Sequence, residues 1–276
     1  MFQNIGSNLP DLLIFAPRMG KAVKISGVVI TYNEERNIER CLASLVEVCD
    51  EVVVVDSFST DNTRAICEQF EVNFIENAFA GHIEQKNFAM AQASHDIVLS
   101  LDADEALSDE LKRSLLQVKE NMVHEAYRFN RFTNYCGKWI KHSGWYPDTK
   151  TRLWNRKQGK WGGTNPHDSV EMEAGIKSQH LKGDLLHYSY YTMEEHVLRS
   201  AKYAKIAAKA MHKQGKKASI FKMLSSAGFR FVKDYFFKRG FLDGFYGLVI
   251  CGTSSHTSFL KYAYLRSLNA GKPIDE

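Results

Sequence analysis

No stretch of this 276-residue chain approaches the ~20 consecutive apolar residues that a membrane-spanning helix needs. Cysteine is sparse: Cys41, Cys49, Cys67, Cys136 and Cys251 are scattered, odd in number and form no C-x-x-C pair. That excludes a disulfide framework and a zinc knuckle, and fits a reducing cytosol. Excess charge is also missing; a net +4 is too mild to argue for nucleic acid by itself. Leu12-Leu13-Ile14-Phe15-Ala16 is apolar but short, with no basic cluster before it, so it does not read as a targeting segment. The chain also lacks glycine where nucleotide folds spend it. There is no G-x-G-x-x-G after the first predicted strand and no glycine-rich loop ending in Lys-Ser/Thr.

What is present is an alternation. Lys24 to Ile30 is a β-rich run, followed by a helix carrying Ile38, Cys41, Leu42 and Leu45 on one face, with Asn33 as its expected N-cap. Glu51-Val52-Val53-Val54-Val55 reads as a strand covered on both faces. A helix with Ile66 and Phe70, a strand at Val72–Ile75, a helix at Glu84–Ala93 and a strand at Ile97–Leu101 follow. Four such alternations predict an α/β fold with a mostly parallel sheet and right-handed crossovers. Residues 1–22 read as an appendage, 23–190 as the domain (23–120 its nucleotide half, 121–190 its acceptor half), and 191–276 as a helical C-terminal region.

The fourth strand ends in Asp102-Ala103-Asp104-Glu105. Carboxylates crowded at the tip of a buried strand repel one another unless a cation lies between them. Hard oxygen ligands of this kind suit Mg²⁺ or Mn²⁺. The plainer alternative is that Asp102 and Asp104 cap the helix starting near Ser108. Polar residues also end strands one and two, which puts Tyr32, Asp56 and Asp102 along one rim, where open α/β sheets bind ligands. The loop Thr31-Tyr32-Asn33-Glu34-Glu35 can stack a base and accept hydrogen bonds from a base or sugar. Phosphates are left to a metal at Asp104 and to Lys86, or Lys86 is one lysine on a solvated helix face.

In this order, Ile-Thr-Tyr-Asn-Glu-Glu, Val-Val-Asp-Ser with Ser-Thr-Asp, Gln85-Lys86-Asn87 and Leu-Asp-Ala-Asp-Glu resemble the family-two, GT-A fold glycosyltransferases. The resemblance covers about residues 24–265 and is nearest to the bacterial subgroup that adds sugars to the lipopolysaccharide inner core. It implies that Thr31, Tyr32, Asn33, Glu34 and Asp56 hold the base and ribose of a nucleotide sugar, a UDP-hexose. It further implies that Asp102 faces the ribose or diphosphate and shares the metal with Asp104, with Lys86 near the diphosphate.

Past the helix at Ser108–Lys119 the composition turns aromatic and basic, and all four tryptophans lie between Trp139 and Trp161. Rings pack on sugar faces while Asp, Arg and His bind hydroxyls or phosphates. Trp145, Tyr146, Asp148 and Arg152, with His167, are therefore expected at an acceptor site; a tryptophan-rich core patch is the alternative. An inverting transfer needs one carboxylate to take the proton of the attacking hydroxyl. The resembled subgroup has Val-His-Glu where this chain has Pro166-His167-Asp168, which gives Asp168 that role. His187 reads equally as a core histidine or a phosphate contact.

Thr192-Met193-Glu194-Glu195 announces a helix by its capping box. From there to Arg239 basic residues, Lys202, Lys205, Lys209, Lys213 and others, interleave with Phe221, Phe229, Phe236, Phe237 and Phe241. Such a segment fits an anionic membrane surface, and no nucleic-acid fold accompanies it. The whole reads as a metal-dependent transferase moving a sugar from a nucleotide donor to a glycolipid or saccharide, peripheral to the inner face of the cytoplasmic membrane. A nucleotidyltransferase acting on sugar phosphates and a non-catalytic saccharide-binding protein remain as alternatives.

Overall fold

The computed structural model describes residues 20–164 and 167–274, so most of the expected appendage at 1–22 lies outside the described residues. Its centre is β1 (Ile25–Thr31), flanked by β2 (Glu51–Asp56) and β4 (Ile97–Asp102), with β3 (Asn73–Glu76) beyond β2; these four strands are parallel. Val52–Val55 and Val98–Leu99 are buried, as β-branched and leucine runs must be when both sheet faces are covered. One face is covered by α1 (Ile38–Val46), whose Ile38, Cys41, Leu42 and Leu45 are buried, and by the short α2 (Thr63–Cys67), whose Cys67 joins the same core. The other carries α3 (His82–Gln92).

Beyond β4 the sheet becomes mixed. β8 (Asp148–Asn155) runs antiparallel to β4 and to β6 (Ala126–Tyr135). β11 (Gln179–Tyr190) lies parallel to β6, and β5 (Glu105–Leu107) closes the edge antiparallel to β11. Only Ala103 and Asp104 separate β4 from β5, yet β5 pairs at the opposite end of the order β3-β2-β1-β4-β8-β6-β11-β5. The sheet therefore curls until its far edge returns to the tip of β4. Trp154, Phe129 and Tyr135 are fully buried in this curled half. A short β7 (Lys138–Trp139) adds to β6, and β9 (Gly159–Thr164) with β10 (His167–Met172) forms a separate ribbon.

The helix α4 (Asp109–Glu120) starts at Ser108, whose hydroxyl accepts from the Leu111 amide (3.3 Å). Asp102 and Asp104 therefore do not cap it. The chain ends in α5 (Met193–Lys213), α6 (Ile220–Val232), a π-turn (Lys233–Phe237), a 3-10 turn (Gly240–Asp243) and α7 (Gly244–Asn269). The capping box of α5 is present in full, Thr192 accepting from the Glu195 amide and Glu195 from the Thr192 amide.

Candidate active site

A cleft of about 940 Å³ opens at the carboxyl ends of β1 and β4. Thr31, Tyr32 and Glu34 form one wall; Lys86, Asp102 and Asp104 form its floor. Asp168, Arg131, His187 and Arg199 come to it from later in the chain. Seven residues expected at a donor, metal or base position thus share one cavity.

The first wall is a loop braced from below. Asn33 does not cap α1, which begins five residues later; it sits in the left-handed region at φ 53°, a conformation asparagine tolerates better than most residues. The Thr60 amide donates to Asn33 Oδ1 (2.8 Å), and the Asn33 and Glu34 amides donate to Ser59 Oγ and Thr63 Oγ1, both at 2.8 Å. Asp56 is buried and accepts from the Ser59 amide (2.7 Å) and hydroxyl (2.5 Å). Asn33 and Asp56 thereby hold the shape of the rim that Tyr32 and Glu34 present to the cleft. Burial raises the Glu34 pKa against the hydrogen bond from Asn37, and the negative charges of Asp104 and Asp102 raise it further.

On the floor, Lys86 Nζ lies 2.7 Å from Asp102 Oδ1 and 2.7 Å from Asp168 Oδ2, and 4.2 Å from the Trp161 ring centroid. The other oxygen of Asp102 accepts from Arg152 Nη2 (3.0 Å), which also donates to Glu105 Oε1 (2.7 Å). Burial opposes ionisation of Asp102, but Lys86 and Arg152 outweigh it and hold its carboxyl far below the ordinary aspartate range. Burial would likewise lower the Arg152 pKa, yet Glu105 and Asp102 push it up, so the guanidinium stays charged. The Glu105 side chain has no exposure at all, and it also accepts from the Asp102 amide (2.9 Å). The acidic tip is therefore neutralised from within the chain by Lys86, Arg152 and Arg131.

Asp102, expected to share a metal, spends each oxygen on a cation. Asp104 is different. Its Oδ2 lies 3.3 Å from His187 Nε2, and His187 and Arg131 lower its pKa against burial. Among the described residues no group of three or more His, Cys, Asp or Glu side chains is arranged to hold a metal. A carboxylate beside an imidazole nonetheless fits a divalent cation that takes its remaining oxygens from phosphates and water, the ordinary mode for Mg²⁺.

The residues expected at an acceptor site disperse. Arg152 is buried behind Asp102 and lines a second recess of about 470 Å³, which meets the cleft at Lys86, Asp102, Arg131 and Asp168. Asp148 accepts from Arg131 (2.7 Å) and pairs with Lys150 (3.0 Å); the Tyr146 hydroxyl donates to Asp184 (3.0 Å). Trp145 packs edge-on to Tyr135 and His196. The His167 side chain lies outside the described residues.

Arg131 and Arg199 join the site without having been expected there from the sequence, Glu105 was expected only as part of the acidic tip, and His187 had two readings. Arg131 had a signal: it is the one charge on the strand face of Tyr127, Phe129, Thr133 and Tyr135. A lone charge there needs a buried partner, and Glu105 supplies it at 3.6 Å. Arg199 had none, since its place in the cleft depends on how α5 packs.

A family model for glycosyl transferase family 2 matches residues 26–183. An uncharacterized glycosyltransferase of Rickettsia felis is 34% identical over 258 residues, spanning 88% of this chain and 89% of that protein. The lipopolysaccharide core biosynthesis glycosyltransferase LpsC of Rhizobium meliloti is 27% identical over 257 residues, 90% of this chain and 94% of that one. Of solved structures, Staphylococcus aureus TarS 1–349 in complex with UDP covers 91% of this chain and 93% of that chain, with 16% identity and a TM-score of 0.41. A structural likeness this slight says nothing of chemistry.

Proposed function

The chain belongs to glycosyl transferase family 2, and on that premise we propose that it moves a hexose from a UDP-sugar to a lipid-linked saccharide such as the lipopolysaccharide core, with inversion. Membership of the family sets aside the nucleotidyltransferase and the non-catalytic binding protein. The observation that carries the reading is Lys86 held between Asp102 and Asp168 at the floor of the cleft.

In the proposed reaction Tyr32 and Glu34 receive the base and ribose, on a rim kept in shape by Asn33 and Asp56. The acceptor hydroxyl attacks the anomeric carbon from the side of Asp168, whose carboxylate takes its proton. The new C–O bond forms as the bond from the sugar to the diphosphate breaks. Charge developing on the leaving diphosphate is met by Lys86 and Arg131, fixed in advance by Asp102, Glu105 and Asp148, so little reorganisation is needed. Asp104 with His187 would hold a Mg²⁺ or Mn²⁺, which would supply further positive charge to the diphosphate. The second recess, which shares Asp168 with the cleft, suits the acceptor sugar.

LpsC is named for lipopolysaccharide core biosynthesis, and that name supports the acceptor class. With a lipid-linked acceptor, the proposal puts the enzyme at the inner face of the cytoplasmic membrane; no described helix is long and apolar enough to cross one. Thermal unfolding with nucleotides tests the donor: UDP should raise the midpoint more than GDP or ADP, and Mn²⁺ should enlarge the shift. In Asp104→Asn the Mn²⁺-dependent part should vanish while the UDP part stays. No response to any nucleotide diphosphate would overturn the reading.

A further inference from the structure

The helix α6 is thirteen residues long and none of them is buried. Helical spacing puts Phe221, Leu224, Gly228 and Val232 on one face, and all four are exposed. Phe221 is 80% exposed and Phe229 68%; just beyond, Phe237 on the π-turn is 79% exposed and Phe245 at the start of α7 is 65% exposed. Single exposed apolar residues need no explanation, but a run of aromatics this open marks an interaction surface.

Its charge says what partner it fits. Between His196 and Ile274 the chain carries 15 Lys and Arg against two acids, Asp234 and Asp243. Both acids are buried and used internally. Asp234 pairs with Arg230 and with Lys238 (3.2 Å). Asp243 accepts from the His142 amide (2.8 Å) and His142 Nδ1 (3.0 Å), and its carbonyl accepts from Lys138 Nζ (2.7 Å). The outward-facing charges are thus cationic and lie beside exposed apolar rings, the pattern of a helix lying among anionic headgroups with rings reaching the acyl boundary.

The surface is also rigidly mounted. A Cβ at Gly247 would come 1.9 Å from the Gly240 carbonyl oxygen, so the 3-10 turn seats directly on α7. Through Asp243 the same turn is tied to residues 138–142, which lead to Trp145 and Asp148 near the Arg131 side of the cleft.

We infer that α6 and the π-turn form a preformed aromatic wedge that inserts into the interfacial region of an anionic phospholipid bilayer, with Lys222, Lys233 and Arg239 on the headgroups. The inference rests on, and sharpens, the lipid-linked acceptor proposed above: an enzyme seated by this wedge meets its acceptor at the membrane plane. The attachment has two separable parts, a cationic part that salt screens and an apolar part that it does not.

Vesicles of phosphatidylcholine, alone or equimolar with phosphatidylglycerol, test it by co-sedimentation without donor or acceptor. Failure of binding would therefore leave the transferase reading standing, and failure of transfer would leave this one. The wild-type protein should bind the anionic vesicles, more weakly as salt rises but with a salt-resistant remainder. Phe221→Ser with Phe237→Ser should remove that remainder, lowering partitioning at least ~10-fold, since each buried methylene carries an appreciable share of such binding. Lys222→Glu with Lys233→Glu should remove the salt-sensitive part. In Phe237→Trp, indole emission should shift to the blue on vesicles and be quenched by lipids brominated on the acyl chain. Thermal midpoints within a few degrees of wild type would show that the variants fold. Absence of vesicle binding, or unquenched emission from bound Phe237→Trp, would overturn the wedge. So would light scattering showing a wild-type dimer that the two serines dissolve, because the patch would then be the interface with a second copy.

Discussion

The two ends of this chain treat charge in opposite ways. Up to Glu195 there are 21 basic and 28 acidic residues; from His196 to Ile274 there are 15 basic and two. In the first region the critical charges close on one another: Lys86 against Asp102 and Asp168, Arg152 against Asp102 and Glu105, Arg131 against Asp148. In the second, cations such as Lys222, Lys233 and Arg239 are exposed beside exposed phenylalanines, and the two acids are consumed in anchoring turns. A buried charge must find its partner inside the fold, whereas exposed charge beside exposed apolar surface is complete only with something outside it. On the functions proposed above, the sheet region holds the reaction and the helical region holds the enzyme's place.

The sharpest way to break this comparison is Arg152→Met. It leaves Glu105, with no exposed side-chain surface, and Asp102 without their shared guanidinium. Unfolding free energy should fall by about 3–5 kcal/mol, the usual scale for orphaning one partner of a buried pair. A urea titration showing a loss below about 1 kcal/mol would mean the cluster is not integral to the fold. In the same region Asp168→Asn should slow sugar transfer at least ~10²-fold while calorimetric UDP affinity stays as in wild type, as for a lost general base. Collapse of UDP affinity instead would make Asp168 a donor-site residue.

His196 sharpens the boundary between the regions. It is buried at the start of α5, its Nδ1 3.1 Å from the Tyr135 hydroxyl, and burial with the nearby Arg199 lowers its pKa to about 4. Because the folded pKa lies below the unfolded value of about 6.5, the unfolded chain takes up the proton first on acidification. The stability is present above about pH 6.5 and is lost as pH falls toward 4. Between about pH 7 and pH 5 the loss should be about 2 kcal/mol, and His196→Phe should flatten that slope in urea unfolding. The smallest effect belongs to the helical surface. Phe237→Ser should change unfolding free energy by no more than ~0.5 kcal/mol, as expected where no contact is lost. A cost of several kcal/mol would mean that Phe237 packs inside the fold.

Much of the nucleotide half was legible because its signals are local. Val52–Val55 announced a covered strand and, beyond that half, Thr192 with Glu195 a capping box; each depends on residues within a few positions. Asn33 shows the limit: as an N-cap it satisfied a local rule, yet its side chain is taken by Thr60, 27 residues away. The mixed half of the sheet was not legible in the same way. A three-residue strand such as β5 carries too little pattern to say that it pairs with β11 across the curled sheet.

The sequence by itself determined the family, the acidic tip after β4, the rim loop Thr31–Glu34 and the basic, acid-poor C-terminal run, because each is a contiguous pattern of residue types. Only the tertiary structure decided what those groups do to one another. Asp102 and Asp104 are two residues apart, yet one is held between Lys86 and Arg152 while the other faces His187. Pairing energies fall steeply with distance and rise with burial, and both are set by which distant strands the curled sheet brings to that tip.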